Sequence, residues 1–133
     1  MSAVRVTHLD HVTVLVTDLA AARAFYGGAL GLREVPPPKE FDFVAVWYDL
    51  GGQYLHLLQK PHPDAPSPRH FCLHVADAAA AREHLRGLGV PVDETVKIAA
   101  ADRFFVRDPD GNRVELLQWV RPYRPDADGR PAG

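Results

Sequence analysis

Short apolar runs punctuated by glycine, proline and aspartate set the pattern of this chain. "LDHVTVLV" (9–16) is short and β-branched and reads as a strand, with Val12, Val14 and Val16 on one face and His11, Thr13 and Leu15 on the other. Thr17 and Asp18 follow as N-cap candidates for the helix-forming run "LAAARAFYGGAL" (19–30), which Gly31 stops. "LREV" is a short strand before "PPPKE". "FDFVAVWYDL" (41–50) and "QYLHLLQ" (53–59) then form a hairpin through Gly51 and Gly52.

From His70 the order recurs. The strand "HFCLHV" (70–75) leads to a helix capped by Asp77, "AAAAREHLRGL" (78–88), which ends at Gly89. "VPVDETVKI" (90–98) reads as an edge strand because of Pro91. "RFFVRD" (103–108), the turn "DPDGN" and "RVELLQWV" (113–120) close the second half as a hairpin. Each half is therefore β-α-β-β-β.

The recurrence extends to individual residues. At an offset of 59, "HVTVLVTDLAAAR" lies over "HFCLHVADAAAAR" and "GQYLHLLQ" over "GNRVELLQ". His11 answers to His70, Asp18 to Asp77, Arg23 to Arg82, and His56 to Glu115. A self-similarity with only two copies is a duplicated half-domain. The expected organisation is one domain over 1–133: a first module 7–60, a stiff proline-rich linker 61–69, a second module 70–120, and a loosely ordered polar tail 121–133.

Composition narrows the classes without choosing among them. A net charge of −2 with no Lys/Arg-rich run gives no electrostatic case for nucleic acid or anionic lipid. No stretch is long and apolar enough to suggest a membrane span. Cys72 is the only cysteine, so no intrachain disulfide forms and a cytoplasmic setting is expected.

Chemistry enters through strand alternation. In each half one strand face is fully apolar and suits a covering helix. The opposite face carries His11 and Thr13, then Tyr54 and His56, then His70, Cys72 and His74, then Arg113 and Glu115. An enclosed carboxylate needs a partner. Three imidazoles and one carboxylate make a divalent-metal ligand set, and a cation would neutralise Glu115. If the halves pack by pseudo-two-fold symmetry, all four converge on one centre. The plainer reading is that a strand histidine is a hydrogen-bonded core residue and that Glu115 pairs with Arg113 or Arg103. The matched repeat positions of His11, His56, His70 and Glu115 favour the metal. His8, His62 and His84 read as surface residues, Cys72 as a small packed hydrophobe, and His74 as a residue orienting a ligand or substrate.

The H-x6-D opening of each half, the helix-to-"LGL" segment and "DPDGNRVEL" resemble the vicinal oxygen chelate superfamily, from about Leu9 to Trp119. That superfamily includes glyoxalase I, bleomycin-resistance proteins, fosfomycin-resistance enzymes, methylmalonyl-CoA epimerase and extradiol dioxygenases. The resemblance implies an α+β fold in which tandem βαβββ modules form a cup-shaped, partly open barrel around a metal, commonly in a homodimer with exchanged modules. It assigns His11, His70 and Glu115 as ligands of a divalent ion (Ni, Zn, Co, Mn or Fe). His56 stands where the family varies, and is either a fourth ligand or an acid–base group; Glu115 is the candidate base. Thr13, His74, Arg113 and Phe105 are candidates to orient ligands or touch substrate.

The leading expectation is a glyoxalase-like lyase or isomerase, acting through an enediolate on a small substrate with adjacent oxygens. One alternative is an Fe(II) extradiol ring-cleaving dioxygenase walled by Phe41, Phe43, Trp47, Phe104 and Phe105. Another is an antibiotic-binding protein without catalysis. The extradiol and fosfomycin branches tend to have a tyrosine where this chain has Phe105, and "IAAADR" lacks the polar loop of the fosfomycin branch.

Overall fold

The computed structural model of the chain describes residues 3–131, which fall into two compact units, Met1–Ala65 and Pro66–Gly133. Their boundary lies inside the proline-rich segment 61–69. Unit 1 runs β1 (His11–Val16), α1 (Leu19–Arg23) with a π-helical continuation (Ala24–Ala29), β2 (Arg33–Val35), β3 (Ala45–Asp49) and β4 (Tyr54–Gln59). Its four-stranded sheet has the order β1-β4-β3-β2, with β1 parallel to β4 and the other pairs antiparallel. Unit 2 runs β5 (His70–His74), α2 (Ala78–Gly87), β6 (Asp93–Glu94), β7 (Ala101–Arg107) and β8 (Arg113–Trp119), in the order β5-β8-β7-β6, and a final turn of helix, α3, spans Pro125–Asp128.

The duplication is written in hydrogen bonds as well as in sequence. Asp18 accepts from the Ala21 amide at 3.1 Å and Asp77 from the Ala80 amide at 3.0 Å, each filling an otherwise orphaned donor of its helix. The glutamines of the two Leu-Leu-Gln stretches tie the central strand to the helix start. Gln59 donates to the Thr17 carbonyl at 3.1 Å, and Gln118 accepts from the Ala78 amide at 2.9 Å. Gly52 and Gly111 sit at φ +122° and +86° in the hairpin turns, where a side chain would be strained.

The apolar strand faces are the core. Val14, Val16, Leu55 and Leu57 are buried in unit 1, as are Phe104, Val106, Val114 and Leu116 in unit 2. At about 1.5–3 kcal/mol per fully buried aliphatic side chain, this face is what holds each sheet against its own helix. The opposite face stays partly open, and it carries the polar residues.

Several elements differ from the sequence expectation. The first helix is not α-helical to residue 30. The Leu30 amide reaches back five residues to Phe25 at 2.9 Å, a π-type widening across Gly27 and Gly28, the weakest helix formers in the run. The strand expected over 41–50 begins only at Ala45: Phe41 and Phe43 stay largely exposed, stacked on each other at 4.7 Å. The run 90–98 keeps only Asp93–Glu94 as strand, because Pro91 lacks a donor and Val96 remains 75% exposed. β7 begins at Ala101, two residues before "RFFVRD". The tail is not uniformly loose, since Arg121 clamps Asp128 through both guanidinium nitrogens and anchors α3.

Candidate metal centre

In unit 1 the sheet register sets His11 and His56 on neighbouring strands. Thr13 lies opposite His56 on β4, and His11 is two residues before it on the same face of β1. The His11 and His56 rings stack at 4.1 Å between centroids and 23° between planes. Trp47, the cross-strand partner of His56 on β3, covers the other side at 3.7 Å and 12°. Sandwiched in this way, His56 is only 7% exposed, and its Nε2 is buried without a hydrogen-bond partner. Burial first, then the nearby His11, pushes the His56 imidazole below its ordinary 6.5, so the ring is held neutral. A neutral imidazole with an unengaged nitrogen is the form that binds a metal.

His11 is oriented from outside the sheet. Its Nδ1 stands 2.8 Å from Asp10 Oδ2, and this bond holds the Asp10 carboxyl below its usual range. A carboxylate accepts, so Nδ1 is the donor, and in the neutral ring Nε2 is left with the lone pair. Thr13 is exposed on the same face.

In unit 2 a backbone group plays the part of Asp10. His70 Nδ1 is 2.9 Å from the Pro68 carbonyl oxygen, which can only accept, so again Nδ1 donates and Nε2 is the nitrogen left for another partner. That nitrogen faces Glu115 Oε1 at 3.1 Å. Two lone pairs do not stand this close without something positive between them. Either a proton lies between them, on the imidazole or on the carboxyl, or a cation is shared by both. Glu115 is 6% exposed, and its second oxygen accepts from Arg103 at 3.3 Å. The pairing with Arg103 is thus real, while Arg113 turns instead onto the Phe105 ring, 3.6 Å from its centroid. Phe105 meets His70 edge-on at 4.9 Å.

The other polar residues have separate engagements. His74 Nε2 accepts from the Trp119 amide at 3.1 Å, so that nitrogen is taken within the sheet. Cys72 is exposed, not packed as expected. Its sulfur is nonetheless desolvated enough that burial, followed by the Glu115 charge, pushes the thiol up to about 11 and keeps it from acting as a thiolate at neutral pH. His8, His62 and His84 are exposed.

Among the described residues, no group of three or more His, Cys, Asp or Glu side chains stands close enough together to hold a metal ion. Each unit offers a pair, and the donors of the pairs fit a divalent ion: imidazole nitrogens free of other work and one carboxylate oxygen facing one of them. Sequence reasoning missed Asp10 and the Pro68 carbonyl. Asp10 could have been noticed as a carboxylate directly before a strand histidine. The carbonyl left no signal, and Arg69 stands where a second Asp10 would have been.

Comparison with known proteins gives the chain a family. Residues 8–116 match the family model of the Glyoxalase/Bleomycin resistance protein/Dioxygenase superfamily, and the chain belongs to that family. It is 25% identical over 121 residues to glyoxylase I 4 of Arabidopsis thaliana, covering 83% of this chain and 70% of that protein. It is 30% identical over 128 residues to the mitochondrial methylmalonyl-CoA epimerase of Homo sapiens, covering 83% and 73%. Among solved structures, a glyoxalase family protein of Bacillus anthracis superposes with a TM-score of 0.81 at 27% identity, over 89% of this chain and 99% of that one.

Proposed function

We propose that the chain is a metal-dependent lyase or isomerase of this superfamily, with His11, His70 and Glu115 holding one divalent ion and His56 as its fourth ligand or as an acid–base group beside it. The reading rests chiefly on one observation: the Nδ1 atoms of His11 and His70 are both committed elsewhere, and the Nε2 of His70 points at a buried carboxylate oxygen 3.1 Å away. The orphaned Nε2 of His56 adds to it. A divalent ion bound by these groups would supply Lewis acidity, lowering the cost of an enediolate on a substrate with two adjacent oxygens.

The protein's own residues do the remaining work. Glu115 takes the proton from the carbon beside the substrate carbonyl and returns it to the neighbouring carbon. Arg103 holds one Glu115 oxygen and leaves the other facing His70. The neutral His56, shielded by Trp47, is either the fourth ligand or a second proton carrier. The similarity to an epimerase supports this reading, since inverting a carbon beside a carbonyl requires a proton to be taken and returned. A homodimer is part of the proposal, and sedimentation analysis would test it.

One second reading has its own observation. Phe41, stacked on Phe43, lies 6.0 Å from Trp47, which in turn covers His56. An aromatic surface beside an acid–base histidine suits ring cleavage with iron. Elemental mass spectrometry on untagged protein purified without chelators separates the readings. Stoichiometric nickel, zinc, cobalt or manganese is the expected result. Iron together with catechol-dependent O₂ consumption would favour ring cleavage. No metal, and none taken up on soaking, would sink both and leave a binding protein.

A further inference from the structure

The open face of the unit 2 sheet carries more positive charge than its carboxylate needs. Arg103, Phe105 and Arg107 alternate on β7, and Arg113, Glu115 and Leu117 on β8, so all six side chains share one face. Asp93, opposite Phe105 on β6, adds an exposed carboxylate at the edge of this face, and Glu115 is the only acid among the six. Arg103 serves it, and Arg107 donates to the Gly111 carbonyl at 3.0 Å. Arg113 is different. It is half-buried, it lies opposite His70 in the sheet register, and its guanidinium carbon lies over the Phe105 ring, 3.6 Å from the centroid. Among the described residues no carboxylate pairs with it.

A guanidinium stacked on an aromatic face has lost rotational freedom but none of its in-plane N–H donors. It is prepared to receive a planar anion edge-on. The chemistry beside it selects the anion: His70 and Glu115 adjoin Arg113 on the same face, so a group held by Arg113 lies next to the candidate ligands. We infer that Arg113 is a specificity-determining residue that receives a carboxylate of the substrate. This inference deepens the proposed function and rests on it. The substrate class is then a 2-oxo or 2-hydroxy carboxylate, with one carboxylate oxygen chelating and the other accepting from Arg113. Unit 1 has Tyr54 at the corresponding place, which adds no charge and fits a single anion-receiving position.

Pyruvate and its neutral isostere pyruvamide test this, because they differ in charge and hardly in shape. Dissociation constants for both would be measured by ligand-detected NMR on zinc-loaded wild type, R113Q and R113K. Wild type should prefer pyruvate by about tenfold or more, the effect of a charge-assisted hydrogen bond. R113Q should lose about tenfold of that preference, keeping only what the zinc itself confers on an anion, while its zinc uptake and thermal melt stay unchanged, and R113K should lose less. Equal affinities for the two ligands in wild type, or an R113Q that weakens both alike, would overturn the assignment. If wild type takes up no zinc, the proposed function fails separately. The same titration on metal-free protein then still decides Arg113: a pyruvate preference that R113Q erases upholds it, and no preference overturns it.

Discussion

The two units are built on one plan and hold opposite chemistry on their open faces. Trp47 and Phe105 occupy the same register position, each opposite the odd residue of its central strand, His56 in one unit and Glu115 in the other. Two residues earlier, Ala45 faces Leu58 where Arg103 faces Leu117. The difference follows from what burial costs. A neutral imidazole costs far less to bury than an ion, so unit 1 gives His56 an aromatic sandwich and no charged partner. A buried carboxylate needs a cation, so unit 2 puts an arginine where unit 1 has an alanine. One duplicated frame has thus diverged into a neutral pair and an ionic pair.

The strongest way to break this comparison is to remove the anionic member. E115Q keeps the shape of the side chain and deletes the charge, and zinc binding should fall by about a hundredfold or more, beyond the 10–100-fold seen when outer partners are lost. H56Q should cost about tenfold, because the amide oxygen can still ligate and the position is neutral already. Competition against a chromophoric chelator measures both. Equal losses would mean that the neutral and ionic pairs are interchangeable.

Transplanting the charge sharpens the point. H56E places a carboxylate between Trp47 and His11 with no arginine nearby, so metal-free protein should lose about 2–4 kcal/mol of stability. Adding A45R recreates the unit 2 arrangement and should recover a substantial part of that loss. Urea denaturation of the single and double variants reads the coupling directly. An H56E as stable as wild type would show that the charge partner in unit 2 is not required by burial.

The two histidines at the strand starts are held by unlike devices, and this predicts a smaller effect. His11 depends on the exposed Asp10 carboxylate, His70 on a main-chain carbonyl that no substitution removes. D10A should therefore weaken zinc binding by about tenfold, through loss of the fixed tautomer. Unchanged affinity would mean that the ring is oriented by its stack on His56 alone.

This contrast also marks what could be read in advance. The repeat, the faces, the caps at Asp18 and Asp77 and the matching positions of His56 and Glu115 within the repeat all follow from side-chain identity at fixed spacing, so the sequence displays them. The Pro68 carbonyl is main chain and leaves no trace in residue type. The shortening of the strands at 41–50 and 90–98 depends on what packs against Phe41, Phe43 and Val96, and periodicity alone cannot supply that. The choice between Arg103 and Arg113 as partner of Glu115 was likewise open, since both lie on the right face and only the Phe105 ring separates their roles.

The smallest difference between the units lies on the helices. Arg23 pairs with Glu34 alone, and both side chains are nearly half exposed. Its counterpart Arg82 is 15% exposed and binds both Glu94 and Asp102, with its guanidinium 4.8 Å from the Phe104 centroid. R23M should cost less than about 1 kcal/mol, as exposed ion pairs do, and R82M about 1–2 kcal/mol because more charge-assisted bonds are lost from a less solvated group. Acid should separate them further. The Arg82 hydrogen bond holds Asp102 below its ordinary 3.8, so its contribution is complete above that pH and drains away as pH falls through the lower folded value. The gap between wild type and R82M in urea should therefore narrow below pH 3.8. A gap that stays constant into acid would assign the effect of Arg82 to its packing on Phe104, and the two helix arginines would then differ in burial alone.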